Sequence, residues 1–471
     1  MKRIMINIKK TDWVNYFSTI RPIVCVQGLG FVGAAMALAT ACAEDKNGNK
    51  KYNVIGIDLP YNQERIDSLN KGVFPFESTD KKLREAAITA KKNGNFYATY
   101  DIEAYSQADI VLIDINLDLI DGKLNLEPFK RAIEEVASNV KEKTLILVET
   151  TVPPGTCRHV IKPIFEKAFT KRGFSAKNAL IAHSYERVMP GEKYWDSIVN
   201  FHRVYSGLNQ EAANRCEEFL SDVINTDDYP LTRLDTVEAS EMAKVMENSY
   251  RAVNIAFIEE WSRMAECVGV DLFSVIDAIR KRPTHSNMMQ PGSGVGGYCL
   301  TKDPLFAGIA AAELFALDEI KFPFSTMAVK TNNKMPLVSL DAIDKYLGGM
   351  GDKHILLLGV SYRQDVADTR YSPSEIFVRE AEKRGAIVKC HDPLVTHWAE
   401  INRELPDLIP DPEDFDCIVF AVQHKQYSQI DLDIWLENAD PYIFDANRVL
   451  NQKQINSLIR MKKRFGSIGR G

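Results

Sequence analysis

The sequence has no C-x-x-C pair and no H-x-x-x-H spacing, and its eight cysteines (Cys25, Cys42, Cys157, Cys216, Cys267, Cys299, Cys390, Cys417) lie far apart. Scattered thiols in a chain of 471 residues argue against a disulfide frame and a zinc site, and predict reduced cysteines in a cytoplasmic protein with no metal. No apolar run approaches membrane-spanning length, so no membrane insertion is expected. The opening MKRIMINIKKTDWVNYFSTIRP lacks an uninterrupted apolar core and a small-residue cleavage site, and is not read as a secretory leader. Dense basic runs are missing too, apart from Arg460, Lys462, Lys463 and Arg464, and the formal charge is -6. Nucleic acid is therefore not the expected partner. A chain this long exceeds one core and predicts about three domains.

What is present begins with IVCVQ (Ile23 to Gln27), a short apolar run suited to a buried parallel strand. It leads into GLGFVG, where Gly28, Gly30 and Gly33 match G-x-G-x-x-G, and then into the helical AAMALATACA. The first glycine permits a tight turn, the second lets backbone approach a pyrophosphate, and the third lets helix and strand pack closely. A second strand, NVIGID, ends in Asp58, an acid placed to accept from both ribose hydroxyls. The polar insertion EDKNGNKKYN lengthens that spacing. Together these predict dinucleotide binding, and Asp58 predicts NAD over NADP. Further buried strands are expected at ADIVLIDI, TLILVET and NALIAHS, with a helix from Leu126 to Val140. Loops after parallel strands are where open α/β sheets bind ligands, which draws attention to Glu186; a surface ion pair with Arg187 is its other reading.

From Asp235 to Val268 the pattern is one long helix, with Asp235 and Glu238 as a capping pair and Gly269 as its stop. Its stripe Met242, Val245, Tyr250, Val253, Phe257 suits a domain connection or a subunit interface. Lys244 and Asn248, four apart, share one face and would ordinarily be solvated. The segment PGSGVGGYCLTKDP then joins four glycines (Gly292, Gly294, Gly296, Gly297) to Cys299, Lys302 and Asp303. It reads either as a loop presenting a nucleophile or as a glycine-rich turn beside a small buried thiol. After a weak break at KYLGGMGDK comes a second α/β unit with strands HILLLG, AIVKCHDP, DCIVFAV and YIFDA, no glycine fingerprint, and a capping box at Ser372 to Glu375. The expected fold is α/β: two doubly wound Rossmann-like domains joined by a helical middle domain with one long central helix. The expected bounds are an extension over 1–20, then domains over 21–215, 216–345 and 346–471.

In this order, GLGFVG, ETTVPPGT, ERVMPG, K-x-x-x-N with YRAVNIAF, PGSGVGGYC-x-x-x-D and SYRQDVADTRYSP resemble segments of the UDP-glucose/GDP-mannose dehydrogenase family, from about Arg21 to Leu450. The resemblance implies oxidation of the C6 alcohol of a nucleotide sugar to a carboxylate, with two NAD per turnover, in a homodimer joined through the central helix. It implies that Cys299 is the nucleophile, that Lys244, Asn248 and Asp303 stabilise an oxyanion and handle water, and that Glu186 assists hydrolysis. It assigns Gly28, Gly30, Phe31, Val32, Gly33, Asp58, Thr151 and Arg363 to NAD. To the nucleotide sugar it assigns Glu186, Arg187, Val188, Lys244, Asn248, Arg251, Gly292, Gly294, Gly296, Gly297 and Arg370. The residue chemistry agrees, since a thiolate can trap an aldehyde and carry it to a thioester.

Four departures stand out. Asn116-Leu117-Asp118 replaces a common Thr-Pro, so a hydroxyl is missing at Leu117; Tyr185, Tyr298 and Arg363 replace residues common in the family. ERVMPG, MENSYRAVNIAF and NMMQPGSGVGG resemble the branch acting on UDP-N-acetylhexosamines, whereas Lys302 in CLTKD also occurs among UDP-glucose enzymes. A non-catalytic nucleotide-sugar-binding protein is the reading from another class, motivated by Leu117.

Overall fold

The computed structural model describes residues 12–120, 123–189 and 191–471; the first eleven residues of the expected extension lie outside the described residues. The chain forms two compact units, one of residues 1–245 and 306–320, the other of 246–305 and 321–471.

The first unit is built on an eight-stranded sheet. Its strands are β1 (Ile23–Gln27), β2 (Asn53–Ile57), β3 (Phe96–Thr99), β4 (Ile110–Ile113), β5 (Leu145–Val148), β6 (Leu180–His183), β7 (Val204–Gly207) and β8 (Thr232–Arg233). They stand in the order β8-β7-β6-β5-β4-β1-β2-β3. The pairing is parallel except between β6 and β7. Alternate residues feed opposite core layers: Val24 and Val26 pack into one cluster and Cys25 into the other, and Ile110 and Val111 divide likewise. A sheet buried on both faces explains why its strands read as continuous apolar runs. Before β1, Trp13 is buried and its Nε1 donates to Asp101 Oδ2 at 3.0 Å.

The second unit holds a five-stranded parallel sheet of β9 (His354–Leu358), β10 (Ile387–His391), β11 (Cys417–Phe420), β12 (Tyr442–Asp445) and β13 (Phe465–Ser467), in the order β10-β9-β11-β12-β13. Here too Ile355 and Leu357 face one cluster while Leu356 and Leu358 face another. Both units bear out the α/β, Rossmann-like expectation, with a helical stretch between the sheets in sequence. Four of these strands were not expected from sequence: β3, β7, β8 and β13, each of two to four residues.

The long helix, α1, runs over Val237–Val268. Its cap differs from the expected pair: Thr236 Oγ1 accepts the Ala239 N–H at 3.2 Å, and Glu238 turns instead to Arg158. Gly269 follows with φ +75°, as its stop position requires. The capping box at Ser372 also fails to close. Ser372 Oγ accepts from Ser374 N–H at 3.2 Å, while Glu375 pairs with Arg379 one turn on at 2.8 Å. A carboxylate four residues before an arginine has a better partner there.

Candidate functional site

In the first unit the turn after β1 is shaped by its glycines. Gly28 has φ +91° and its N–H donates to Ile57 O at 2.8 Å. A Cβ at Gly28 would stand 2.5 Å from Asp114 O, and one at Gly33 only 1.9 Å from Gly28 O. At Gly30 a Cβ would meet nothing within 4 Å, so open space faces the turn where a ligand can press against backbone. Gly30 is the N-cap of the helix over Phe31–Cys42, which has no side-chain cap there, so its first N–H groups are those a phosphate would meet. Phe31 stacks on Phe76 with centroids 4.1 Å apart, and Val32 is half-buried behind it. Asp58 stands just past β2, accepting from Leu29 N–H at 3.2 Å and from Asn62 at 2.9 Å. Its Oδ2 also meets Arg65 Nη1 at 2.9 Å, a partner that sequence inspection missed. The open turn, helix start and terminal acid fit a dinucleotide.

Beneath this turn lie charges that no motif announced. Arg203, fully buried, donates to Glu149 Oε1 at 3.1 Å. Asp114, just past β4, bonds to Glu149 as well, and burial drives both carboxyls well above the ordinary range. Glu149 and Glu186 raise Asp114's cost of ionising further, while Arg203 pulls both acids the other way. Thr151 follows β5 and is half-buried; Leu117, in place of the expected hydroxyl, is buried among core side chains.

Glu186 follows β6, as expected, and its carboxylate accepts the Val188 N–H. Lys244 is buried, contrary to its ordinary reading, and donates to Glu186 O at 2.9 Å. Its ammonium lies 5.4 Å from the Tyr185 ring, and Arg187 donates to the Tyr185 hydroxyl at 3.0 Å. Buried His183 is pushed down to about 3, by burial first and by Lys244 second, so it is neutral.

In the second unit Cys299 is the second residue of a short helix, α2 (Tyr298–Lys302), which starts from Gly297 at φ +79°. Five cysteines are buried and Cys42 is partly buried, and burial raises the thiol pKa of all six; only Cys267 and Cys299 are exposed. That excludes the small-buried-thiol reading. Asp303 is buried and held on both oxygens, by Lys302 Nζ at 2.7 Å and by Asn248 Nδ2 at 2.8 Å. The glycine loop is tied by backbone. Asn332 exchanges two 2.8 Å bonds with Val295, Ser293 N–H donates to Asn447 Oδ1 at 2.7 Å, and Gly297 N–H donates to Arg370 O at 3.2 Å. Arg370 forms two bonds to Asp368, at 2.8 and 2.6 Å, and lies 4.8 Å over Tyr298.

A cavity of about 470 Å³ opens at the carboxyl ends of β9, β11 and β12. Its walls include Gly292, Gly294, Tyr362, Gln423 and Asn447, and three arginines, Arg251, Arg363 and Arg448. No carboxylate among the described residues lines it, so it suits an anion. Arg363, expected with the cofactor, thus stands in the second unit beside Arg251. Tyr362, Gln423, Asn447 and Arg448 were missed from sequence. All four lie in loops that follow parallel strands, where open α/β sheets bind ligands.

Among the described residues no helix is long and apolar enough to cross a membrane, and no cluster could hold a metal ion. Comparison with known proteins matches residues 23–224 to the NAD binding domain of the UDP-glucose/GDP-mannose dehydrogenase family, 238–334 to its central domain and 356–452 to its UDP binding domain. A UDP-N-acetyl-D-mannosamine dehydrogenase of Methanocaldococcus jannaschii is 28% identical over 91% of this chain and 93% of its own. An NDP-N-acetyl-D-galactosaminuronic acid dehydrogenase of Ralstonia nicotianae is 28% identical over 87% and 92%. Among solved structures, a UDP-D-ManNAc dehydrogenase from Pyrococcus horikoshii superposes with a TM-score of 0.81 at 25% identity, covering 95% of this chain and 99% of that one. With fingerprint, thiol loop and anion cavity all falling inside matched segments, the chain belongs to the UDP-glucose/GDP-mannose dehydrogenase family and is an NAD-dependent nucleotide-sugar dehydrogenase.

Proposed function

We propose that the protein oxidises the C6 alcohol of a UDP-N-acetylhexosamine to the uronate, through a thiohemiacetal and a thioester on Cys299. The observation that carries this reading is the exposed Cys299 on a helix that continues the glycine loop, whose earlier residues line the arginine-rich cavity. NAD, when bound, accepts hydride. The open turn at Gly28, Gly30 and Gly33, with Phe31, Val32 and Thr151, holds it, and Asp58 takes its ribose hydroxyls.

Each residue then has one task. Arg251 and Arg363 hold the diphosphate in the cavity, and Gly292, Gly294, Gly296 and Gly297 let the loop close on the sugar nucleotide. Arg370, kept in place by Asp368, and Arg187 with Val188 orient the sugar. The Cys299 thiol adds to the aldehyde carbon left by the first oxidation, and its proton leaves to solvent. Loss of a second hydride makes the thioester, and water, deprotonated by Asp303 with help from Glu186, releases the carboxylate. Lys244 and Asn248 stabilise the oxyanion. The balance is one alcohol, two NAD and one water to one carboxylate, two NADH and three protons.

The N-acetylhexosamine is supported by the names of the relatives above. Lys302, bonded to Asp303, favours UDP-glucose as the second reading. The protein works as a cytoplasmic homodimer: Tyr250, Phe257, Trp261, Met264 and Val268 form an exposed apolar seam at heptad spacing on α1. NADH formation against a panel of UDP-sugars tests the substrate. Two NADH per UDP-N-acetylhexosamine are expected, and one NADH, or a preference for UDP-glucose, refutes the reading.

A further inference from the structure

Residues 360–365 form one wall of the anion cavity without a helix or strand of their own, so their backbone groups need partners from elsewhere. Two buried side chains supply them. Asp392, just past β10, accepts from Val360 N–H at 2.8 Å and Ser361 N–H at 3.0 Å through Oδ2. Its burial alone would raise its pKa; His424 and these two donors reverse that and hold it below the usual carboxylate range. His424, past β11 and also buried, accepts the Asp365 N–H at Nδ1, 2.9 Å away. The ring proton therefore sits on Nε2, which lies 3.1 Å from Asp392 Oδ2 and 2.9 Å from Ser361 Oγ. Ser361 Oγ in turn donates to Arg363 O at 3.1 Å. Both nitrogens of one imidazole thus serve the same six residues. Asp365 needs that support, because its φ of +56° is disfavoured for a residue with a Cβ.

The wall also reaches the thiol loop. A Cβ at Gly297 would come within 3.0 Å of the Tyr362 ring, and one at Gly296 within 2.7 Å of Tyr362 Cβ. Gly297 is where the Cys299 helix starts.

We propose that Asp392 and His424 are positioning residues for the nucleotide end of the substrate, holding the 360–365 wall so that Tyr362 and Arg363 meet the diphosphate. This rests on the reading of the cavity as the nucleotide site. Neither residue touches the reacting atoms, so their loss acts on binding. Calorimetric titration of UDP into the full-length protein, with steady-state kinetics, tests it. His424→Ala weakens UDP binding and raises the KM for nucleotide sugar by about tenfold, the worth of one or two net hydrogen bonds. Its kcat and KM for NAD stay within about twofold.

His424→Asn keeps an acceptor for Asp365, and His424→Gln keeps a donor toward Asp392. Each recovers part of the loss, leaving UDP about threefold weaker. A purely structural role would instead lower the active fraction and leave KM unchanged. Variants matching wild type in UDP affinity and KM overturn the proposal, and the Asn and Gln forms decide it if the Ala form does not fold. A wild type that fails to bind UDP defeats the nucleotide reading and the proposal with it.

Discussion

A serine at position 299 keeps the size and the hydrogen-bonding ability of the thiol and loses its ready ionisation. The loop around it is tied through Asn332, Asn447 and Arg370 O, none of which involves the sulfur, so UDP and NAD binding should survive Cys299→Ser. Turnover to the uronate should fall by about 10⁴-fold or more, as when other covalent nucleophiles are removed. Stopped-flow NADH traces and product chromatography check this, and near wild-type uronate formation would remove the thioester from the mechanism. At the cofactor turn, DLPYNQ after β2 contains no arginine, yet Asp58 meets Arg65 at 2.9 Å. Asp58→Ala removes the acceptor for the ribose hydroxyls and leaves Arg65 available for a 2′-phosphate. The ratio of kcat/KM for NAD over NADP should fall by about 100-fold, and an unchanged ratio would show that Asp58 does not set the preference.

Helix α1 shows what pattern can and cannot reveal. Its length and its glycine stop were legible because apolar period and αL chemistry are local. Which apolar residues are buried was not: Val245 is 1% exposed, while Met242 and Tyr250 of the same expected stripe are 54% and 57% exposed. Lys244 and Asn248 were read as ordinary surface groups yet are buried, because only tertiary packing decides which turn of a long helix is covered. The seam through Phe257 and Trp261 is the surface on which a second copy is expected. Trp261→Glu should convert a dimer into a monomer in sedimentation at micromolar concentration, with little loss of monomer stability since the side chain is half-exposed. A wild-type monomer refutes the seam. Strands such as HILLLG were plain because a continuous aliphatic run marks them, whereas FYAT, VYSG and FGS are short and mixed in residue type, and FYAT shows no such run although it is buried throughout.

For the molecule as a whole, the Asp114–Glu149–Arg203 group couples stability to pH. Both carboxyls titrate above their unfolded values, so their contribution is fully present below about pH 4 and is lost as pH rises through the folded values. Asp114→Asn mimics the protonated acid. It should raise the thermal midpoint by about 2 °C or more at pH 8 and by much less at pH 5, and calorimetry at the two values checks the sign. The GLGFVG turn and the Cys299 loop of the candidate site were legible because each is continuous in sequence. The cavity wall was not, because Tyr362, Gln423, Asn447 and Arg448 come from ends of different elements. The course of the chain was equally hidden: residues 306–320 belong to the first unit, bringing buried Phe306 to its core and Phe315 against Gly155. Recombination between relatives meets this directly. Exchanging the second unit to graft another sugar preference requires moving 246–305 and 321–471 as two inserts while retaining the native 306–320, since a single crossover would leave Gly155 facing a foreign side chain.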